Sequence, residues 1–518
     1  MSEKAFNLLD ERWLPVRFAD GSVEALGLLE VFRRSGEIGA LAETAPPSLV
    51  AEYRLLLAIT HRALVSALGS WKVKDRARWF KEGLPVEDIC AYLETWRERF
   101  WLFHPEAPFM QVAALAVAEE TRDKKKPWTQ IDLASACGNN PVLFDHADDA
   151  SPTAIRPARA ICLLLGLLPF VVGGTIQVFK SSDNAGALMN SAAVIPVGKT
   201  LAQTLCLCLH PEPTGNGVED LPAWERELLT VAQLRGAPVL AKGPNDRYTR
   251  QSRAVLLLRG FDGDVQWLRF GAGYALLGND EDAPDPMTNF TAGKDKWMRV
   301  TFREGRAFWR DLPALVPNPA KNSRPAAVLS YAAALHEEIS FDIVDQPVLV
   351  AGLASNKAKL ERWRAEQITL PAVLLVDVDQ AGYLREQVAF AEDLFYKKNG
   401  VRHLAVDMLA ETLPDPRDKD TRNRARSILD GGPFAATYFA QAERALPKLM
   451  EDIGTDPEQA GALWRGNLRA AADNAWQQVL TGLGGSARAL RADAKYWPRF
   501  QGLLNREVPK NNMTINEV

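Results

Sequence analysis

The feature that most constrains this chain is a change of texture after Gly382. From there Ala, Leu, Arg and Glu predominate, and Trp464, Leu468, Ala471, Ala475 and Val479 recur at intervals of three and four. That period places all five on one helical face, so the stretch must bury an apolar stripe against neighbours. Turn signals at Asn399-Gly400, Gly431-Gly432-Pro433, Thr455-Asp456-Pro457 and Gly482 to Gly485 divide the region into roughly four helices. Short connections make consecutive helices neighbours, and an antiparallel four-helix bundle over 380–518 is the economical arrangement.

The preceding part, 1–379, has no single period. Phe6 to Gly27 mixes apolar and polar residues around Ala19-Asp20-Gly21 and reads as a hairpin. Leu49 to Leu68 and Val86 to Phe103 repeat apolar residues as amphipathic helices do. Glu119 to Ser151, with Arg122, Lys124 to Lys126 and Gly138-Asn139-Asn140-Pro141, reads as an exposed loop. Between about Leu205 and Val376 short apolar runs alternate with Gly, Pro and Asn clusters, as strands joined by loops do. The expected fold class is therefore α+β, a large mixed N-terminal domain followed by a C-terminal four-helix bundle.

With 518 residues, 47% of them apolar, the chain has material for several buried cores. Its 61 Lys and Arg against 65 Asp and Glu argue against indiscriminate coating of nucleic acid, so any such contact must come from local patches. Met1 to Asp10 does not have the basic and apolar pattern of a secretory signal. The longest apolar run, Ile161 to Gly174, is interrupted by Pro169 and is shorter than the roughly 20 residues that cross a bilayer, so it reads as core, with no membrane partner expected. The odd set Cys90, Cys137, Cys162, Cys206 and Cys208 lacks a C-x-x-C pair and fits reduced thiols in a cytoplasm.

Three patterns resemble catalytic or metal sites. Val197-Gly198-Lys199-Thr200 ends like a phosphate-binding loop, but Ala193 stands where its first glycine belongs, and a turn between elements explains it as well. Leu374-Leu375-Val376-Asp377-Val378-Asp379 has the form of an apolar strand ending in alternating carboxylates, as in phosphatases of the haloacid dehalogenase type. This is the best enzymatic alternative, against a structural role for the aspartates in capping the first bundle helix. Asp145, His146, Asp148 and Asp149 can in principle hold a metal, yet with six scattered histidines no second His stands at ligand spacing. The expectation is no catalytic centre, no cofactor and no metal.

Three further motifs occur in family order. Phe6-Asn7-Leu8-Leu9-Asp10-Glu11-Arg12-Trp13-Leu14-Pro15-Val16, His104-Pro105-Glu106-Ala107-Pro108-Phe109-Met110-Gln111 and Tyr248-Thr249-Arg250-Gln251-Ser252-Arg253 resemble segments of the CasA family, the large subunit of the type I-E CRISPR Cascade complex. The resemblance spans nearly the whole chain. It implies a protein that works beside a guide RNA: the RNA reads sequence by pairing, and the protein checks a short adjacent motif, the PAM, in double-stranded DNA and drives a wedge into the duplex. It further implies as partners the backbone, handle-binding and small subunits, and a separate helicase-nuclease recruited once the displaced-strand loop is complete.

Carried over by residue, Gly352 to Ala358 looks like the family's PAM-reading hairpin, with Asn356 suited to minor-groove base edges and Ala358 small enough for close approach. Lys357 falls where some relatives carry a glutamine wedge; its stem can part the stack while its ammonium finds phosphate. A polar hairpin tip is the plainer alternative. Gly173-Gly174 corresponds to the glycine-rich loop at the PAM, or is a simple turn. The segment with Asn139, Asn140, Leu143 and Phe144 resembles the loop that docks near the guide RNA's handle, Phe144 serving there or as a core anchor. Lys294 and Lys296 resemble a basic turn that attracts duplex. Arg488, Arg491, Lys495 and Arg499 recur at helical spacing, either to track phosphate or as a solvated face.

Overall fold

A computed structural model describes residues 4–133, 151–211, 219–278, 280–320, 322–342, 344–356 and 359–509, the side chains at 354–356 and 359–362 excepted. The chain divides into two compact units, Met1–Glu304 with Ala320–Leu375, and Gly305–Pro319 with Val376–Val518.

In the first unit the core is organised around the helix Pro46–Leu68. Pro46 and Pro47 occupy its opening positions, where a missing N–H costs nothing. Sixteen of its 23 residues are buried, so it is enclosed on most sides. The apolar run becomes the helix Pro157–Phe170, buried from Ala160 onward, and packs against it. At the crossing a Cβ on Gly166 would lie 2.8 Å from Ser48 Oγ and 2.9 Å from Ser48 N, so only glycine lets the two backbones come this close. Ser48 Oγ uses that proximity to donate to the Cys162 carbonyl at 2.8 Å.

Among the described residues no sheet exceeds three strands. The expected opening hairpin is present as Leu14–Phe18 paired with Val23–Leu26, turned at Gly21 with φ +86°. The helix expected over Val86 to Phe103 ends at Thr95 instead. Trp101–Phe103 is a strand paired with Ala5–Asn7, because tertiary pairing overrides a local period that both conformations can satisfy. The middle carries the antiparallel hairpins Arg253–Arg259 with Val265–Ala272, Phe290–Ala292 with Trp297–Arg299, and Asp345–Asn356 with Lys359–Pro371.

The second unit is helical, as expected. Four helices of 19 to 27 residues (Val378–Tyr396, Phe434–Ile453, Pro457–Leu483 and Ala487–Glu507) are accompanied by the shorter Val401–Glu411 and Lys419–Gly431. The two short helices are separated by Pro414 and Pro416, whose missing N–H groups cannot continue a helix. Trp464, Leu468, Ala471 and Ala475 are buried, and Val479 is half-buried near the end of its helix. Gly305–Pro319 supplies Trp309, whose ring meets Trp464 edge-on at 6.1 Å. It also supplies Arg310, which donates to Glu392 Oε2 at 2.8 Å while its guanidinium covers the Phe439 ring at 3.5 Å.

Candidate functional site

Gly173 and Gly174 leave the helix Pro157–Phe170 directly, Pro169 marking its last turn. The segment Asp183–Pro196 holds them from below. Gly186 N donates to Val171 O at 2.9 Å, and Leu188 N donates to Pro169 O at 2.7 Å. Gly174 and Thr175 pair with Asp183 and Ser182. A Cβ on Gly173 would meet Ala185 N at 2.9 Å, so this glycine is required by packing. Gly174 has open space around it but adopts φ +144°, a conformation side chains disfavour. The two glycines thus differ: Gly173 faces the protein, and Gly174 is the exposed one.

Beneath the pair lies a buried clamp. Arg253 donates to Val172 O at 2.6 Å and to Asn184 O and Asp183 Oδ2 at 3.0 Å each. Asp183 Oδ2 also accepts from Gly273 N at 2.8 Å. Burial lowers the Arg253 pKa, and the Asp183 carboxylate opposes it; a guanidinium nonetheless stays charged, so an ion pair fixes the backbone just before the glycines. Asp183 was not singled out in the sequence. Seventy residues separate it from Arg253, so no spacing betrays the pair.

The hairpin Asp345–Asn356 with Lys359–Pro371 is rooted in the same floor. Val348 to Gly352 pair with Ala192–Pro196, and a Cβ on Gly352 would meet Ser191 O at 2.4 Å, so that glycine admits the neighbouring strand. Beyond it, Leu353 to Asn356 pair only with the returning strand, with a register shift at Ala354/Ser355. Trp363, opposite Leu353, meets Phe170 edge-on at 5.6 Å, three residues before Gly173. Asn356 ends the outgoing strand. Lys357 and Ala358 lie outside the described residues, as do Asn139, Asn140, Leu143 and Phe144, and the acidic group Asp145, His146, Asp148 and Asp149.

Lys294 and Lys296 are exposed in the turn of the Phe290–Arg299 hairpin. This hairpin joins the same floor, since Ala192 N donates to Val300 O at 2.8 Å and Arg299 donates to the Ala187 carbonyl at 2.7 Å. Segment Asp183–Pro196 therefore carries the glycine pair, the long hairpin and the basic turn together. Arg488, Arg491, Lys495 and Arg499 are exposed on Ala487–Glu507 in the second unit. They are not equivalent: Lys495 is engaged by Glu411, and Arg499 lies over the Tyr496 ring at 5.1 Å.

The other motifs resolve into structure. Asp377 caps the helix Val378–Tyr396, accepting from Asp379 N and Gln380 N at 2.9 Å each, and Ala372–Leu375 is a 3-10 turn rather than the strand a dehalogenase-type site needs. Thr200 caps Leu201–Cys208, its Oγ1 accepting from Gln203 N at 3.2 Å, and the loop amides before it are taken by helix side chains: Gly198 N donates to Thr204 Oγ1 and Lys199 N to Gln203 Oε1, both at 3.0 Å. The family-like motifs are scaffolding as well. Gln251 Nε2 donates to Gln111 O at 3.0 Å, Gln111 Oε1 accepts from Leu257 N at 2.8 Å, and Trp13 Nε1 donates to Leu8 O at 3.0 Å.

Comparison with known proteins gives a consistent result. The family profile described as CRISPR-associated protein Cse1 matches residues 7–481. A CRISPR-associated protein CasA/Cse1 from Thermus thermophilus is 32% identical over 517 residues, covering 97% of this chain and 98% of the relative. The solved structure of Thermus thermophilus CasA (Cse1) superposes with a TM-score of 0.81 at 28% identity, over 97% of this chain and all of that one. A chain of a CRISPR RNA-guided surveillance complex shares the fold, with a TM-score of 0.73 at 22% identity over 96% of this chain and 99% of the other.

Proposed function

The chain belongs to the CRISPR-associated Cse1 family, and from that premise we propose that it is the large subunit of a type I-E RNA-guided surveillance complex that tests the PAM in double-stranded DNA and starts unwinding beside it. The observation that carries this reading is the common floor Asp183–Pro196. It holds an exposed glycine, the strand that ends at Asn356 and a basic turn on one segment. Such a group suits a duplex. Gly174 offers backbone without a side chain, Asn356 supplies amide donors and acceptors for base edges, and Lys294 and Lys296 supply charge for phosphate. Lys357 then acts as the wedge, with Ala358 allowing close approach.

In the same reading, Asn139, Asn140 and Phe144 dock the subunit near the guide RNA's handle and the neighbouring backbone, handle-binding and small subunits. Arg488, Arg491 and Arg499 attract DNA phosphate. The chain contributes recognition, and a separate helicase-nuclease, recruited after the displaced-strand loop forms, does the cutting. No step requires a cofactor bound to this chain.

The test is binding of the reconstituted guide-RNA complex to a library of duplexes with varied flanking sequences, comparing Asn356→Ala and Lys357→Ala with the unaltered chain. Selective loss of PAM-bearing targets is expected, at about 1–3 kcal/mol for a lost base contact. Unchanged binding and selectivity in both variants would remove the hairpin from recognition.

A further inference from the structure

Glu52 and Cys162 project from the two closely crossed helices Pro46–Leu68 and Pro157–Phe170, and Glu43 joins them from the segment before the first helix. One carboxylate oxygen from each glutamate and the Cys162 Sγ all lie within 4.8 Å of one another. Glu52 is fully buried, and among the described residues neither of its oxygens accepts a hydrogen bond of normal geometry, the Cys162 thiol being the donor that faces it. A buried carboxyl so poorly partnered is costly, and a group in that state calls for a ligand. Glu43 accepts from Ala45 N at 2.8 Å and faces Arg159 Nη1 at 3.6 Å. Arg159 is 43% exposed, so the cluster has one side towards solvent. Cys162 Sγ lies 3.8 Å from the Trp13 carbonyl.

We propose that Glu43, Glu52 and Cys162 form a binding site for a single divalent cation of the zinc class, fastening the segment before the first helix to both helices. Two carboxylates and one thiolate suit Zn²⁺ or Co²⁺. An all-oxygen set would be needed for Mg²⁺ or Ca²⁺, and softer sulfur ligands for Cu⁺. Three protein ligands leave a fourth position for water. Without a cation, burial and then the Glu43 charge hold the Glu52 carboxyl well above its ordinary value, and burial and then Glu52 raise the Cys162 thiol. The cation binds thiolate and carboxylates, so the thiol proton, with any proton that Glu52 holds, passes to solvent as the metal–sulfur and metal–oxygen bonds form. This site is independent of the DNA reading above.

The experiment is titration of the EDTA-treated full-length chain with Co²⁺, followed by Zn²⁺. One equivalent is expected to produce a thiolate-to-cobalt charge-transfer band in the near ultraviolet, displaced by Zn²⁺, with a rise in melting temperature. Cys162→Ala and Glu52→Gln should abolish the band, Glu43→Gln should weaken binding at least about tenfold, and Cys90→Ala and Cys206→Ala should leave it intact. The absence of a band at one equivalent, or its survival in Cys162→Ala, overturns the site. If Glu52→Gln fails to melt cooperatively without metal, Glu43→Gln decides: an affinity equal to that of the unaltered chain also overturns it.

Discussion

Arg253 is one side chain on which a whole loop depends. Replacing it with Met removes the closer of the two cations that face the buried Asp183 carboxylate, leaving Lys180 Nζ at 3.7 Å, and frees the Val172 carbonyl before the glycines. Breaking a buried pair outright costs about 3–5 kcal/mol, and with Lys180 remaining urea denaturation of Arg253→Met should show a loss of about 2–4 kcal/mol. A loss below about 1 kcal/mol would mean that the clamp is not what holds the loop. The stacked rings of His61 and His210, 3.7 Å apart, carry a second residue-level consequence. Burial lowers the His61 pKa to about 3 and the His210 pKa well below its ordinary value. Unfolding restores both to about 6.5, so the unfolded chain binds more protons below that pH. Stability is therefore full above pH 6.5 and falls as pH drops from there towards 3, by about 1.4 kcal/mol per pH unit for each buried imidazole. Stabilities from urea denaturation should be level from about pH 7.5 to 6.5 and fall with that slope from there to about pH 5, and His61→Phe should remove one imidazole's share of it. A midpoint independent of pH over that interval would mean these imidazoles are not held neutral.

Among the elements, the helix beginning at Val378 shows how a sequence motif is decided by its backbone. Asp377 would be a candidate nucleophile at the end of a strand; at the start of a helix its carboxylate is occupied by two amides. Asp377→Ala should cost about 1 kcal/mol of thermal or urea stability, the ordinary value of a lost cap, and leave DNA binding by the assembled complex unchanged. Loss of a phosphatase activity in the same variant would restore the enzymatic reading. The long hairpin gives the complementary lesson. The apolar run Val348 to Val350 was legible as a strand, and burial of Val348, Val350 and Leu353 accounts for it. Its pairing with Ala192–Pro196, about 150 residues earlier, was not legible, because register against a distant strand leaves no local period.

For the whole molecule, a formal charge of -4 means that duplex affinity must come from patches rather than net attraction. Target binding by the reconstituted complex should weaken steeply with salt. If the helix Ala487–Glu507 contacts phosphate, Arg488→Ala and Arg491→Ala should each lower the logarithmic salt slope by about 0.9. Lys495→Ala should lower it less, because Glu411 already engages that ammonium. Equal effects from all three would mean that the ion pair opens on DNA, and no effect from any would make the stripe a solvated face.

By itself the sequence determined the mixed N-terminal part, the helical C-terminal part, the buried apolar run and the family, because periodicity, turn residues and short ordered motifs are local quantities. The motifs that revealed the family, Gln111 with Gln251 and Trp13 with Leu8, prove to be buried scaffolding, legible because packing imposes particular residues on short segments. Only the tertiary structure decided which glycine of 173 and 174 is exposed, that Asp183 clamps Arg253, that Asp377 is a cap, and that Glu43, Glu52 and Cys162 converge. Each of these depends on contacts between residues distant in the chain or on a backbone conformation set by such contacts. Their free energy belongs to the packed arrangement and has no counterpart in any window of sequence.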